Sequence, residues 1–221
     1  MIRNTIILLI SSFLLSCSAN SNIDSEVQPK LDTSSKSDIE SKLENGDIIF
    51  QVSLTPQSKA VKLATKSQYS HVGIIFKDED SWMVYEAIQP VTKTPLKEWI
   101  ERGENGHYVL KRLKNSKKVL NSEVIEKMKA IGEENMGKDY DIYFNWSDVE
   151  MYCSELVWKI YDQAADIRIG ELKQLKDLDL TSESVQTILS ERYGTAIPLE
   201  GKIIAPSGLF DSDKLRVVDQ N

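Results

Sequence analysis

Residues 70–88 read Ser70-His71-Val72-Gly73-Ile74-Ile75-Phe76-Lys77-Asp78-Glu79-Asp80-Ser81-Trp82-Met83-Val84-Tyr85-Glu86-Ala87-Ile88. Two runs rich in β-branched and aromatic residues flank a polar stretch, which is the pattern of two strands joined by a short turn. His71 opens the first run, and Glu86 lies among apolar residues in the second. With a four-residue loop at Lys77–Asp80, Phe76 faces Ser81 and His71 faces Glu86 across the ladder, roughly 5 Å apart at Cβ. A carboxylate in that position orients an imidazole and stabilises its charged form. The imidazole in turn spares Glu86 the cost of lying unpaired in an apolar strand. A slip of one residue would undo the pairing.

Working outward, Ile48–Val52, His107–Leu113 and Leu215–Val218 read as further strands. Helical spacing predicts helices over Ser58–Ser67, Pro95–Arg102, Val124 to a stop at Gly137, a stretch starting near Cys153, and Val185–Leu189. Strands and helices do not alternate regularly, so the pattern is α+β, an antiparallel sheet packed against helices.

The helix near Cys153 carries the chemistry. Its start reads Asp148-Val149-Glu150-Met151-Tyr152-Cys153-Ser154-Glu155-Leu156-Val157. Unsatisfied N–H groups at a helix start favour thiolate, the nucleophilic form of cysteine. Asp148, Glu150 and Glu155 oppose this if they face the sulfur. A base is also needed, and the chain has two histidines, His71 and His107. His107, between Gly106 and Tyr108, reads as a strand-capping residue, whereas His71 has Glu86.

The first residues suggest export. Ile6–Ile10 and Phe13–Leu15 follow Arg3, too short for a spanning helix and suited to a secretory signal. Leu14-Leu15-Ser16-Cys17 resembles a bacterial lipobox, which implies cleavage after residue 16 and acylation of Cys17. The expected organisation is a signal over 1–16, lipidated Cys17 and a Ser- and Asn-rich tether over 17–38, and a globular region over 39–221. Loss of Arg3 takes the net charge from −7 to −8, and an acidic chain without a basic cluster excludes nucleic acid as the expected partner. The expected location is the bacterial cell envelope, held by lipid on a membrane, with the outer membrane or periplasm as the expected compartment. Two separated histidines and one remaining cysteine make no zinc pattern, and the scattered glycines make no phosphate loop. No metal or cofactor is expected.

Gly46-Asp47-Ile48-Ile49-Phe50, Ser70-His71-Val72-Gly73-Ile74, Tyr85-Glu86-Ala87 and Tyr152-Cys153-Ser154-Glu155-Leu156-Val157 resemble the motifs of the permuted papain-like amidases of YaeF/YiiX type. These are relatives of the NlpC-type peptidases and of lecithin retinol acyltransferase. The resemblance spans about Leu43 to Val218. It implies a circularly permuted papain-like fold with Cys153 as nucleophile, His71 as base and Glu86 as the third polar residue. It also implies a peptide or amino-acid amide of the cell envelope as substrate. Two alternatives stand beside it: acyl transfer or deacylation of a membrane amide or ester, and a catalytically silent envelope-binding module.

Overall fold

The computed structural model describes residues 39–221; the expected signal segment, Cys17 and the tether lie outside the described residues. In chain order the elements are β1 (Asp47–Gln51), α1 (Pro56–Thr65), β2 (His71–Asp78), β3 (Ser81–Ala87), β4 (Val91–Pro95), α2 (Leu96–Arg102), β5 (Val109–Leu113), α3 (Ser116–Val119) and α4 (Ser122–Glu134). They continue as α5 (Cys153–Ala165), β6 (Lys173–Gln174), α6 (Glu183–Tyr193), β7 (Lys202–Ile203), α7 (Pro206–Phe210) and β8 (Leu215–Gln220).

Six strands form one antiparallel sheet in the order β4-β3-β2-β1-β5-β8, and β6 pairs separately with β7. Alternation along the strands sorts side chains onto two faces. Ile48, Phe50, Val72, Ile74, Phe76 and Tyr85 pack in one core with α4 and α5. Ile49, Ile75, Val84 and Leu110 pack on the other side with Trp99 and Leu96 of α2. Close approach of α4 to the sheet depends on Gly132, where an added Cβ would lie 2.6 Å from the Tyr85 ring.

The antiparallel hairpin forms as expected, but its register differs. Strands β2 and β3 extend to Asp78 and Ser81, which pair directly, leaving Glu79-Asp80 as a two-residue turn with Glu79 at φ 50°. Ile74 therefore faces Tyr85, and continuing that register sets His71 against Ile88, two residues from Glu86. A shift of two keeps every side chain on its face, so His71 and Glu86 still meet, diagonally instead of directly. The polar residues Lys77 and Asp78 continue the strand because strand pairing satisfies their backbone groups whatever their side chains. Helix α4 ends earlier than expected, with Asn135 as its cap; Gly137 takes φ 79° in the loop beyond.

Candidate active site

The site is built from the start of α5, the first residue of β2 and the end of β3. Cys153 is the first residue of α5, preceded by Tyr152 in an extended conformation. Its whole first half is buried, with Leu156, Val157, Ile160 and Tyr161 fully enclosed, so packing fixes where the helix starts. The Tyr161 hydroxyl reaches the carbonyl of Gly46, and Ser154 Oγ donates to the carbonyl of Ile204 at 2.7 Å.

His71 lies at the end of its strand, where the sulfur of Cys153 comes within hydrogen-bonding reach of its ring. Its Nε2 is 2.6 Å from Glu86 Oε2, which leaves Nδ1 for Cys153. The Trp99 indole stacks on the imidazole, with centroids 5.8 Å apart and planes 25° apart. Glu86 is fully buried and saturated with donors. Besides His71 it accepts from Thr94 Oγ1 at 2.5 Å, Trp99 Nε1 at 3.0 Å and Arg102 Nη2 at 2.6 Å. Burial alone would raise its pKa, but the bonds and charges of His71, then of Arg102 and Thr94, hold it down at about 2. Burial likewise disfavours imidazolium at His71, yet contacts with Cys153 and Glu86 outweigh it and raise the pKa to about 9. Its two neighbours thus favour the charged form of the ring.

His107 is elsewhere. Its Nδ1 contacts the Asn221 carbonyl at 2.6 Å, and its ring stacks on Tyr69. Two of the three acidic residues beside Cys153 are held by one cation: Lys159 places its ammonium 2.7 Å from Glu155 Oε1 and 2.8 Å from Asp148 Oδ1.

Several residues of the site give no signal in the sequence. Thr94, Trp99 and Arg102 come from β4 and α2 and converge on Glu86 only through the fold. Gln51 is buried on β1, paired in register with His71, and its Oε1 has no hydrogen-bond partner. It packs so tightly over Gly103 that a Cβ there would lie 2.0 Å from that oxygen. Tyr140 lies in the loop before α5 and feels the charge of Cys153; burial, then that sulfur, raises its phenol far above the usual value and keeps it protonated. Its oxygen accepts from Gln57 Nε2 at 3.1 Å, so the hydroxyl proton is free to donate.

Two cavities meet here. An apolar slot of about 80 Å³ runs from Cys153 between α1 and α6, lined by Val61, Phe144, Leu178 and Ile188 among others. A wider cleft of about 870 Å³ opens beside His71, with the polar side chains of Gln51, Ser53, Tyr140, Arg102 and Arg192 among its walls.

Residues 42–219 match the model of the permuted papain-like amidases, the YaeF/YiiX, C92 family. The chain belongs to that family. It is 45% identical over 175 residues to the uncharacterized protein YiiX of Escherichia coli K12, covering 79% of this chain and 85% of that protein. A crystal structure of YiiX from Escherichia coli O157:H7, 44% identical, superposes with a TM-score of 0.78 over 81% of this chain and 98% of the other. The α+β, circularly permuted papain-like fold is thereby established, with histidine preceding cysteine in the chain. That YiiX structure is described as a metalloprotein. Among the described residues of this chain, no three His, Cys, Asp or Glu side chains are placed to hold a metal ion, so the donor set does not fit one.

Proposed function

We propose that this chain is a lipid-anchored cysteine amidohydrolase that works through Cys153, His71 and Glu86. The observation that carries the reading is His71 held between the sulfur of Cys153 and the ionised carboxylate of Glu86. Cys153 attacks as thiolate beside imidazolium, and its bond to the substrate carbonyl carbon gives a tetrahedral oxyanion. The backbone N–H of Cys153, unsatisfied at the helix start, and the Tyr140 hydroxyl are the groups available to hold that oxygen. His71 passes its proton to the leaving nitrogen as the C–N bond breaks, leaving a thioester. Water then attacks with His71 as base, releasing the acid and restoring the thiolate–imidazolium pair. Glu86 keeps the ring oriented and its charge balanced throughout.

The apolar slot favours a second reading on the same machinery, in which the acyl part is a lipid chain and the reaction is deacylation or acyl transfer. The slot has room for only the volume of a few water molecules, at ~30 Å³ each. It therefore takes the first few carbons unless α1 and α6 part.

Product analysis by mass spectrometry after incubation with envelope extracts, comparing wild type with Cys153→Ala, tests the reaction. Iodoacetamide that labels Cys153 only after unfolding would remove the nucleophile from the reading. Acylation of Cys17 places the enzyme on a membrane surface in this proposal. Cys17→Ser should release it into the soluble fraction or leave the signal uncleaved; a normally processed, membrane-bound variant would refute the anchor.

A further inference from the structure

Arg192, on α6, is the one side chain bearing a positive charge that lines both the apolar slot and the wider cleft among the described residues. Its known partners are all neutral. Nη1 donates to the Ile142 carbonyl at 2.7 Å, Nη2 to Gln57 Oε1, and the guanidinium lies 5.3 Å from the centre of the Phe144 ring. Gln57 then donates from its other amide atom to Tyr140, so Arg192 is linked to the nucleophile's neighbourhood through two side chains.

A guanidinium has five N–H donors in a rigid fork shaped for a carboxylate or phosphate. Two N–H groups here go to neutral oxygens, and Arg192 has no ion-pair partner among the described residues. Arg102, the other arginine of the cleft, is committed to Glu86. Glu191 is in the cleft wall without pairing to Arg192. Asp141, buried beneath, feels the Arg192 charge but accepts instead from the N–H of Tyr143. A half-buried cation beside a reactive thiol, held in place by neutral groups with donors to spare, is arranged to receive an anion.

We propose that Arg192 anchors an anionic group on the substrate, so that the cleft takes acyl amides or esters whose non-acyl part carries a carboxylate or a phosphate. The proposal rests on the reading of Cys153 as nucleophile and adds the charge of the substrate to it. The chain Arg192–Gln57–Tyr140 then couples anion binding to the hydroxyl that faces the developing oxyanion.

The test uses Cys153→Ala, which binds without turning over, and two probe pairs: N-hexanoylglycine against N-hexanoylglycinamide, and N-hexanoyl-O-phosphoethanolamine against N-hexanoylethanolamine. Calorimetry should show the charged member of at least one pair bound about tenfold or more tighter, as expected for a hydrogen bond to a charged group. Which pair shows the larger preference separates a carboxylate source from a phosphate source. Adding Arg192→Gln should abolish the preference within each pair, while Arg192→Lys should restore part of it, which a purely structural arginine would not do. Equal binding within both pairs, no binding of any probe, or a preference that survives Arg192→Gln overturns the proposal. Turnover of the same probes by the wild type reports separately on Cys153. Charge-selective binding without turnover leaves the anchor standing and removes the nucleophile; unselective turnover does the reverse.

Discussion

Glu86 and Glu155 are both fully buried within the active-site layer, yet they titrate in opposite directions. Glu86 is held at about 2 by an imidazolium, a guanidinium and two further donors. Glu155 rises to about 7, because burial outweighs the ion pair with Lys159 and the Tyr152 N–H, and nearby Asp141 adds to the rise. The Lys159 ammonium is 2.7 Å from Glu155 Oε1, yet that oxygen has no hydrogen bond of good geometry, and the N–H contact is long at 3.4 Å. Burial sets the cost of charge, and the number and geometry of donors decide whether a side chain carries it. Glu86 is built to stay ionised beside His71 and Arg102. Glu155 is built to sit behind them at the edge of protonation.

The largest expected effect separates the two on turnover. Cys153→Ala and His71→Ala should abolish hydrolysis. Glu86→Gln should reduce it by about 10²-fold or more but less than the ~10⁴ seen when a triad carboxylate is lost with the wrong tautomer, since Gln can still accept from the ring. Glu155→Gln should stay within about tenfold of wild type. Equal damage from the two glutamine variants, with circular dichroism unchanged, would break the comparison.

Removing a partner comes next. Lys159→Met leaves Glu155 without its cation. The carboxyl then takes up a proton, and keeping it protonated at pH 8 against a folded pKa of about 7 costs ~1.4 kcal/mol. The loss should be large in urea unfolding at pH 8 and small at pH 5, where Glu155 is already neutral. A loss independent of pH would show that Lys159 acts by packing alone.

The wild-type stability profile should carry both signatures. Glu155 has its folded pKa above the unfolded value, so its contribution is complete below about 4.5 and is lost as pH rises through about 7. Glu86 is the reverse: its contribution is present above about 4.5 and lost as pH falls toward about 2. Each limb spans at most ~3 kcal/mol by linkage. The raised pKa of His71 places a further loss between about 6.5 and 9, owed first to Cys153 and then to Glu86; only the Glu86 share is the ion pair already counted. Urea midpoints across pH for wild type and Glu155→Gln measure this; the variant should lose the descending limb between 4.5 and 7. The smallest effect belongs to His107→Ala, with activity near wild type. A dead His107→Ala beside an active His71→Ala would reassign the base.

The fold and the meeting of His71 with Glu86 near Cys153 were legible because each rests on a short-range pattern. Leu156, Val157, Ile160 and Tyr161 announce a helix with Cys153 at its start, and the alternation in residues 71–88 announces a hairpin. The turn was misjudged because Lys77, Asp78 and Ser81 are polar enough to pass for loop, yet the error was an even number of residues and spared the contact between His71 and Glu86. Strand β4 gave no signal: Val91-Thr92-Lys93-Thr94-Pro95 is short, polar and ends in proline, as an edge strand is allowed to be. With β4 and α2 went Thr94, Trp99 and Arg102. Gln57, Tyr140 and Arg192 sit on three distant segments, and no local spacing connects them.

The two outer strands of the sheet have a consequence under the proposed lipid anchor. Molecules tethered through a lipid share a thin layer, where their local concentration is high and exposed strand edges find one another easily. Strand β4 ends in Pro95 and carries Lys93; β8 carries Arg216 and Asp219. Such residues discourage a neighbour from adding its own strand. Both edges thus carry residues that work against pairing with a second copy, a property that matters more for molecules crowded on a surface, as the proposed anchor would have them, than in dilute solution.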